Sequence, residues 1–176
     1  MEAVKNFLKL KTDESLETLC SSPALVWVDW REYDEDIVKY IEESMQTGKL
    51  SGESRNAENK MGFDIVIHWK GKEYVVPYPD EEGADRDSTI KYLNRIIQPD
   101  YEIRLFMESI GSDTLGFLPL AKEDWAELEK EFGAEKVGYY FMKIDENSIM
   151  FNLDIDDVFK IVEERQKNNS KEDILC

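Results

Sequence analysis

The sequence predicts an α+β fold, a largely antiparallel sheet with helices packed on it, in a single domain over residues 1–165. Two observations predict it. The β-rich runs come in adjacent pairs joined by short turns, whereas strands of a parallel sheet are each followed by a helix. Separate segments place apolar residues at helical spacing, with charged residues on the opposite face. The 176 residues have the length of one ordinary domain.

The first half of the chain predicts helices, one isolated strand and a hairpin. In order, these are one or two helices over residues 1–19, a central strand over 24–30 covered on both faces, a helix from Asp34 with the stripe Ile37, Val38, Ile41 and Met45, a loop or weak edge strand over 48–59, and a hairpin of strands 63–69 and 73–78. The hairpin is predicted from two runs rich in β-branched and aromatic residues, which flank the short Lys-Gly-Lys turn at 70–72.

The second half predicts three further helices and two strand pairs. In order, these are a helix begun by Asp87 or Ser88 and stopped by Pro99, paired strands 101–107 and 115–120, a helix over 122–132 with Trp125 inside, a hairpin of 137–144 with 148–151, and a last helix capped by Asp154. Residues 137–144 fit a strand or a helix, and their aromatic content favours the strand. The last helix has a stripe that we expect to be buried: Ile155, Val158, Phe159 and Val162. Residues 166–176 predict a polar, frayed C-terminal tail.

Charge narrows the classes of partner. Thirty-nine acidic and 22 basic residues give a net charge of −17. That field repels nucleic-acid phosphates and anionic lipid headgroups, so we expect no direct binding to nucleic acid or membranes. Negative charge keeps a protein soluble, and it also attracts a basic protein partner.

Cysteine content and the N-terminal sequence indicate a cytoplasmic protein. Cys20 and Cys176 are too few for the disulfide framework of a small secreted domain, so we expect free thiols. Residues 1–10 lack the features of a secretory signal, and no apolar run approaches the length of a membrane span.

No residue is predicted to be catalytic, to bind a cofactor or to ligate a metal. His68 is the single histidine, and neither a cysteine nor another histidine is spaced with it for zinc. No GxSxG elbow surrounds a serine, and Gly111 and Gly116 form no phosphate-binding loop. A metal-dependent nuclease could use Asp64, but the following strand lacks the acid and lysine spacing for it.

Two acidic clusters and one tryptophan are the candidate partner-binding residues. One cluster follows the first strand and the other lies between the hairpin and the next helix. The candidates are Trp30, Glu32, Asp34, Glu35, Asp80, Glu81, Glu82 and Asp85, with Asp36 and Asp87 adjoining them. Trp30 has charged neighbours at a strand end, where a large aromatic serves as an interface anchor. If the two clusters lie close together in the fold, their charge would steer a basic partner towards this surface. If they lie apart, each is an ordinary solvated loop.

The stretch from Asp100 to Ile144 resembles small acidic bacterial immunity proteins of toxin/immunity systems. The resemblance rests on YEIRLFMES, GSDTLGFLPL and EDWAELEKEFGAEKVGYYFMKI, about a quarter of the chain. It implies a compact, non-enzymatic cytosolic protein of bacteria that binds one toxin domain and blocks its active site or substrate surface. It implies no particular site residue, because these families share no fixed site.

Three functional hypotheses follow. The first is an immunity or inhibitor protein that binds and neutralises a basic effector domain such as a nuclease toxin. The second is an acidic decoy that imitates nucleic acid and occupies a DNA- or RNA-binding protein. The third is an enzyme with a carboxylate-bound divalent metal. The partner's identity and the oligomeric state remain open.

Overall fold

The computed structural model describes residues 1–79 and 83–172, with side chains to Lys167. Seven α-helices occur in these ranges: α1 (Glu2–Leu10), α2 (Asp13–Cys20), α3 (Asp34–Met45), α4 (Arg86–Ile97), α5 (Lys122–Phe132), α6 (Ala134–Tyr140) and α7 (Ile155–Glu172). The strands are β1 (Val26–Asp29), β2 (Leu50–Asn56), β3 (Phe63–Trp69), β4 (Lys72–Val75), β5 (Tyr101–Phe106), β6 (Thr114–Ala121) and β7 (Phe141–Lys143).

The strands form two antiparallel sheets, which confirms the predicted α+β class. A four-stranded sheet has the order β1-β6-β5-β7, and a three-stranded sheet has the order β2-β3-β4. The predicted hairpin is β3 with β4, and the predicted pairing of the two later runs is β5 with β6. Residues 48–59 supply β2, an edge strand that pairs with β3.

Two apolar cores lie on opposite faces of the four-stranded sheet. Because strand residues alternate between faces, Ile103 and Leu105 of β5 belong to one core and Phe106 belongs to the other. The first core contains side chains of α3, α4 and the three-stranded sheet, and the second contains those of α1, α2, α5 and α6. The fold is therefore three layers with the four-stranded sheet in the middle.

The predicted central strand is wrong in its position. β1 lies at an edge of the four-stranded sheet, and the pairings place β6 and β5 in the centre. Val26 and Val28 are buried, while Trp27 and Asp29 are partly exposed. An apolar run predicts burial of its side chains, and it does not say whether both strand edges are paired.

The predicted hairpin of 137–144 with 148–151 is also wrong. Val137 and Tyr140 are buried three residues apart on α6, against the second core. The backbone changes from helical to extended at Phe141, and β7 pairs with β5. Of the aromatic residues that favoured a strand, Tyr139 and Tyr140 lie on α6 and Phe141 begins the short strand β7, since tertiary packing overrides a weak local preference.

The last helix differs from its predicted packing. α7 begins after Asp154, whose side chain accepts a hydrogen bond from the backbone N–H of Asp156, and it continues to Glu172, into the segment predicted as a tail. Ile155 and Phe159 are 67% and 60% exposed, so half of the predicted buried stripe faces solvent. Among the described residues, no helix combines the length and the apolar content needed to cross a membrane.

Candidate partner-binding surface

Trp30 lies at the end of β1 with its side chain largely in solvent. It is 61% exposed, and Tyr33, three residues further along, is 72% exposed. Glu32 and Glu35 on either side of Tyr33 are partly exposed. Tryptophan and tyrosine are enriched among the residues that carry the binding energy of interfaces, so two of them exposed beside carboxylates mark a candidate interface.

The described part of the second acidic cluster meets the first cluster where α3 and α4 begin. The Arg86 guanidinium, in the first turn of α4, donates a 2.7 Å hydrogen bond to the backbone carbonyl of Glu32. Glu32 and Asp85 therefore belong to one region. Asp80, Glu81 and Glu82 lie outside the described residues.

Asp34 is not a surface acid, which corrects the sequence prediction. It is only 5% exposed, and its Oδ1 atom has no hydrogen-bond partner within the described part of the chain. Burial raises the pKa of Asp34 to about 6, although a hydrogen bond from Thr89 and the charge of Arg86 act in the opposite direction. With so little of Asp34 exposed, its carboxyl does not belong to the partly exposed acids Glu32 and Glu35.

Asp87 is a structural residue rather than part of an acidic surface. It is 2% exposed, and its carboxylate accepts hydrogen bonds from the backbone N–H groups of Met150, Phe151 and Asn152 at 3.0, 2.9 and 3.4 Å. These bonds join the first turn of α4 to the segment before α7. The segment 150–152 is thereby held in place without being a strand.

Asp85 is the N-cap of α4, the role that the sequence assigned to Asp87 or Ser88. One carboxylate oxygen accepts a 3.0 Å hydrogen bond from the backbone N–H of Ser88, and the other accepts a 2.7 Å bond from the Asn152 side chain. Partial burial raises the pKa of Asp85, but hydrogen bonds from Ser88 and Asn152 outweigh it and the net pKa is lowered. Asp85 therefore stays ionised at neutral pH, and both of its carboxylate oxygens accept hydrogen bonds from within the protein.

Trp30 and Phe151 separate two surface cavities. The first, of about 460 Å³, is partly polar and is lined by Trp30, Pro79, Gly83, Ala84, Asp85, Arg86, Phe151 and Asn152. The second, of about 340 Å³, is mainly apolar. Its lining is Trp30, Ile110, Gly111, Ser112, Asp113, Leu115, Met150, Phe151, Leu153, Ile155 and Val158. Sequence reasoning missed the second cavity, because a helical stripe does not show which part of it the fold leaves uncovered.

The single histidine lies on the three-stranded sheet, in a cluster whose charged side chains already pair with one another. His68 Nε2 is 3.4 Å from a carboxylate oxygen of Glu53, and its Nδ1 is 3.8 Å from one of Glu73. Arg55 bonds both acids and lowers the pKa of each. Across the described residues, no three His, Cys, Asp or Glu side chains converge as a metal site. Asp64, the candidate nuclease ligand, accepts a hydrogen bond from Asn59.

No protein-family model, no curated protein and no solved structure matches this chain.

Proposed function

We propose that this protein is a non-enzymatic inhibitor that binds a basic effector domain, such as a nuclease toxin, through the surface around Trp30. The observation behind the proposal is that Trp30 and Tyr33 are 61% and 72% exposed between partly exposed carboxylates. The net charge of −17 favours a cationic partner over an anionic one. The resemblance of residues 100–144 to immunity proteins is consistent with this function.

The partly exposed glutamates and the acids that hydrogen-bond within the protein have different tasks in this proposal. Glu32 and Glu35 attract the partner, because exposed charges raise the rate of encounter more than they raise the final affinity. Trp30 supplies the affinity, since truncation of a central tryptophan typically costs an interface about 2 kcal/mol or more. Asp87 and Asp85 hold the segment beside Trp30 in place through the bonds described above.

No observation favours either alternative function. A nucleic-acid decoy needs exposed carboxylates in a row at about the phosphate spacing. Asp34 and Asp87 of the two clusters are buried instead. An enzyme with a carboxylate-bound metal needs converging ligands, and the described residues present no such group.

The test takes proteins of basic sequence encoded by genes neighbouring this one, each purified separately and titrated onto the immobilised chain. We expect binding, and we expect Trp30→Ala to weaken it at least about thirtyfold, the equivalent of about 2 kcal/mol. Leu10→Ala is the matched control, because Leu10 is also an exposed apolar residue, 51% exposed at the end of α1 in another layer. Failure of adjacent basic gene products to bind, or equal losses for both variants, would refute the proposal.

A further inference from the structure

α7 comes close to the body of the protein at Gly111. A β-carbon at Gly111 would lie 3.2 Å from a methyl carbon of Val162 and 3.7 Å from one of Val158. α7 therefore contacts the turn before β6 through these two valines. Ile155 and Phe159 lie on the same apolar stripe but remain 67% and 60% exposed.

α7 is held at its start and again at Arg165. At its start, Asp154 caps the helix, and the preceding segment is bonded to Asp87. Further along, the Arg165 guanidinium donates a 2.8 Å hydrogen bond to the Tyr139 carbonyl, lies 4.1 Å from the Tyr139 ring and pairs with Glu108. The exposed apolar residues are thus part of an anchored helix and not of a loose end.

The 340 Å³ cavity lies between this helix and Trp30. Its walls include Ile110, Leu115, Met150 and Val158, and Ile155 stands at its edge. Asp113 lines the cavity, and further exposed acids lie at the start of α7 beside the lining residue Ile155: Asp154, Asp156 and Asp157, of which Asp157 pairs with Lys160. An apolar groove with an acidic rim matches an apolar side chain that has cations on either side of it.

We infer that the groove between Trp30 and α7 receives an apolar side chain of the basic partner, from a segment with lysine or arginine beside it. The inference rests on the proposed function and adds the chemistry of the contact. A second copy of the chain would bring another charge of −17 against the same acidic rim.

The first experiment tests the groove without the effector. A pentapeptide of lysine, lysine, phenylalanine, lysine and lysine is titrated while NMR follows the Trp30 indole N–H and the methyl groups of Leu115, Ile155 and Val158. We expect saturable shifts at these groups, and at least fivefold smaller shifts with the peptide that has alanine in place of phenylalanine. Equal shifts with the two peptides, or none with either, would overturn the inference.

The second experiment uses the basic protein that tests the proposed function. Phe159→Ala and Ile155→Ala are each expected to weaken its binding about tenfold, while Val75→Ala, at an exposed position on β4, leaves it unchanged. If Trp30→Ala reduces binding and both α7 variants do not, the groove inference fails and the proposed function stands. If no basic protein binds the wild type, the proposed function fails, and the peptide titration decides the groove separately. A dimer in sedimentation that Phe159→Ala disrupts would show a second copy on this face and overturn the inference.

Discussion

The carboxyl group of Asp34 lies in the protein interior, where burial disfavours its charged form. Its pKa is raised to about 6 by burial, against roughly 3.9 for an aspartate in an unfolded chain. The folded state therefore binds the proton more tightly than the unfolded state does. The cost of ionising Asp34 is fully present above about pH 6, decreases as the pH falls, and is absent below about pH 4.

Asp34→Asn is consequently expected to stabilise the protein at pH 7. The gain is about 1–3 kcal/mol in the free energy of unfolding, from a shift of about two pKa units. It should diminish between pH 6 and pH 4, as measured by urea denaturation across that range. Asp36→Asn is the control, because it removes a partly exposed charge from the same helical turn. A gain that is independent of pH, or equal in the control, would contradict the assigned cause.

Trp125 is buried, in contrast to the exposed Trp30. It is 1% exposed, its indole N–H donates a 2.8 Å hydrogen bond to the Glu102 carbonyl, and the Arg104 guanidinium lies 4.1 Å from its ring. Trp125→Ala is expected to lower the free energy of unfolding by about 3–5 kcal/mol. Trp30→Ala should change it by less than about 0.5 kcal/mol. Chemical denaturation of both variants measures the contrast, and a loss below about 1 kcal/mol at Trp125 would mean that its burial is misassigned.

Among the elements, α3 and β2 are joined at one glycine. A β-carbon added at Gly52 would lie 2.8 Å from the Val38 β-carbon and 3.1 Å from the Glu35 carbonyl oxygen. Both are close to the helix backbone, so neither can move without moving α3. The absent side chain allows α3 to cover the inner face of the edge strand β2, whose sequence has little apolar content.

Gly52→Ala is therefore expected to destabilise the protein by about 1–3 kcal/mol through overpacking. Gly138→Ala is the matched control, because nothing lies within 4 Å of the added β-carbon on α6. There, alanine in place of glycine in a helix should stabilise by about 0.5–1 kcal/mol. Thermal or urea unfolding of the two variants should give opposite signs, and a neutral Gly52→Ala would show that α3 and β2 separate easily.

At the scale of the whole molecule, we expect the association rate with a basic partner to depend more on where the charges lie than on the net charge. Under the proposed function, Glu32→Lys with Glu35→Lys should reduce the association rate with the basic partner about tenfold in low salt. Glu14→Lys with Glu17→Lys makes the same change in net charge on exposed positions of α2 and should have an effect below about twofold. The Glu14 and Glu17 pair should leave the unfolding midpoint nearly unchanged, because exposed charges contribute little to stability. The Glu32 and Glu35 pair should lower it slightly, because Glu32→Lys removes the acceptor of the Tyr40 hydroxyl.

Stopped-flow measurements at several salt concentrations provide the check. The wild-type rate should fall as salt rises, since the screening length shortens to about 8 Å at 0.15 M. Equal effects of the two charge-reversal pairs, or a rate independent of salt, would indicate that the acidity serves solubility alone.

The sequence by itself determined the elements whose signals are local. α3, α5, the β3–β4 hairpin and the pairing of β5 with β6 agree with prediction, because apolar periodicity and turn residues act within a few positions along the chain. Trp30, singled out as an interface candidate because charged residues adjoin it, is 61% exposed.

Only the tertiary structure decided which side chains are covered. Asp34 and Asp87 look like the surface acids around them, yet both are buried, and Asp87 bonds to backbone groups more than 60 positions away. The stripe of α7 predicts a buried face, but the body of the protein covers Val158 and Val162 and leaves Ile155 and Phe159 exposed. Burial depends on neighbours that are distant in sequence, so no local pattern contains it, and the candidate groove follows from that packing.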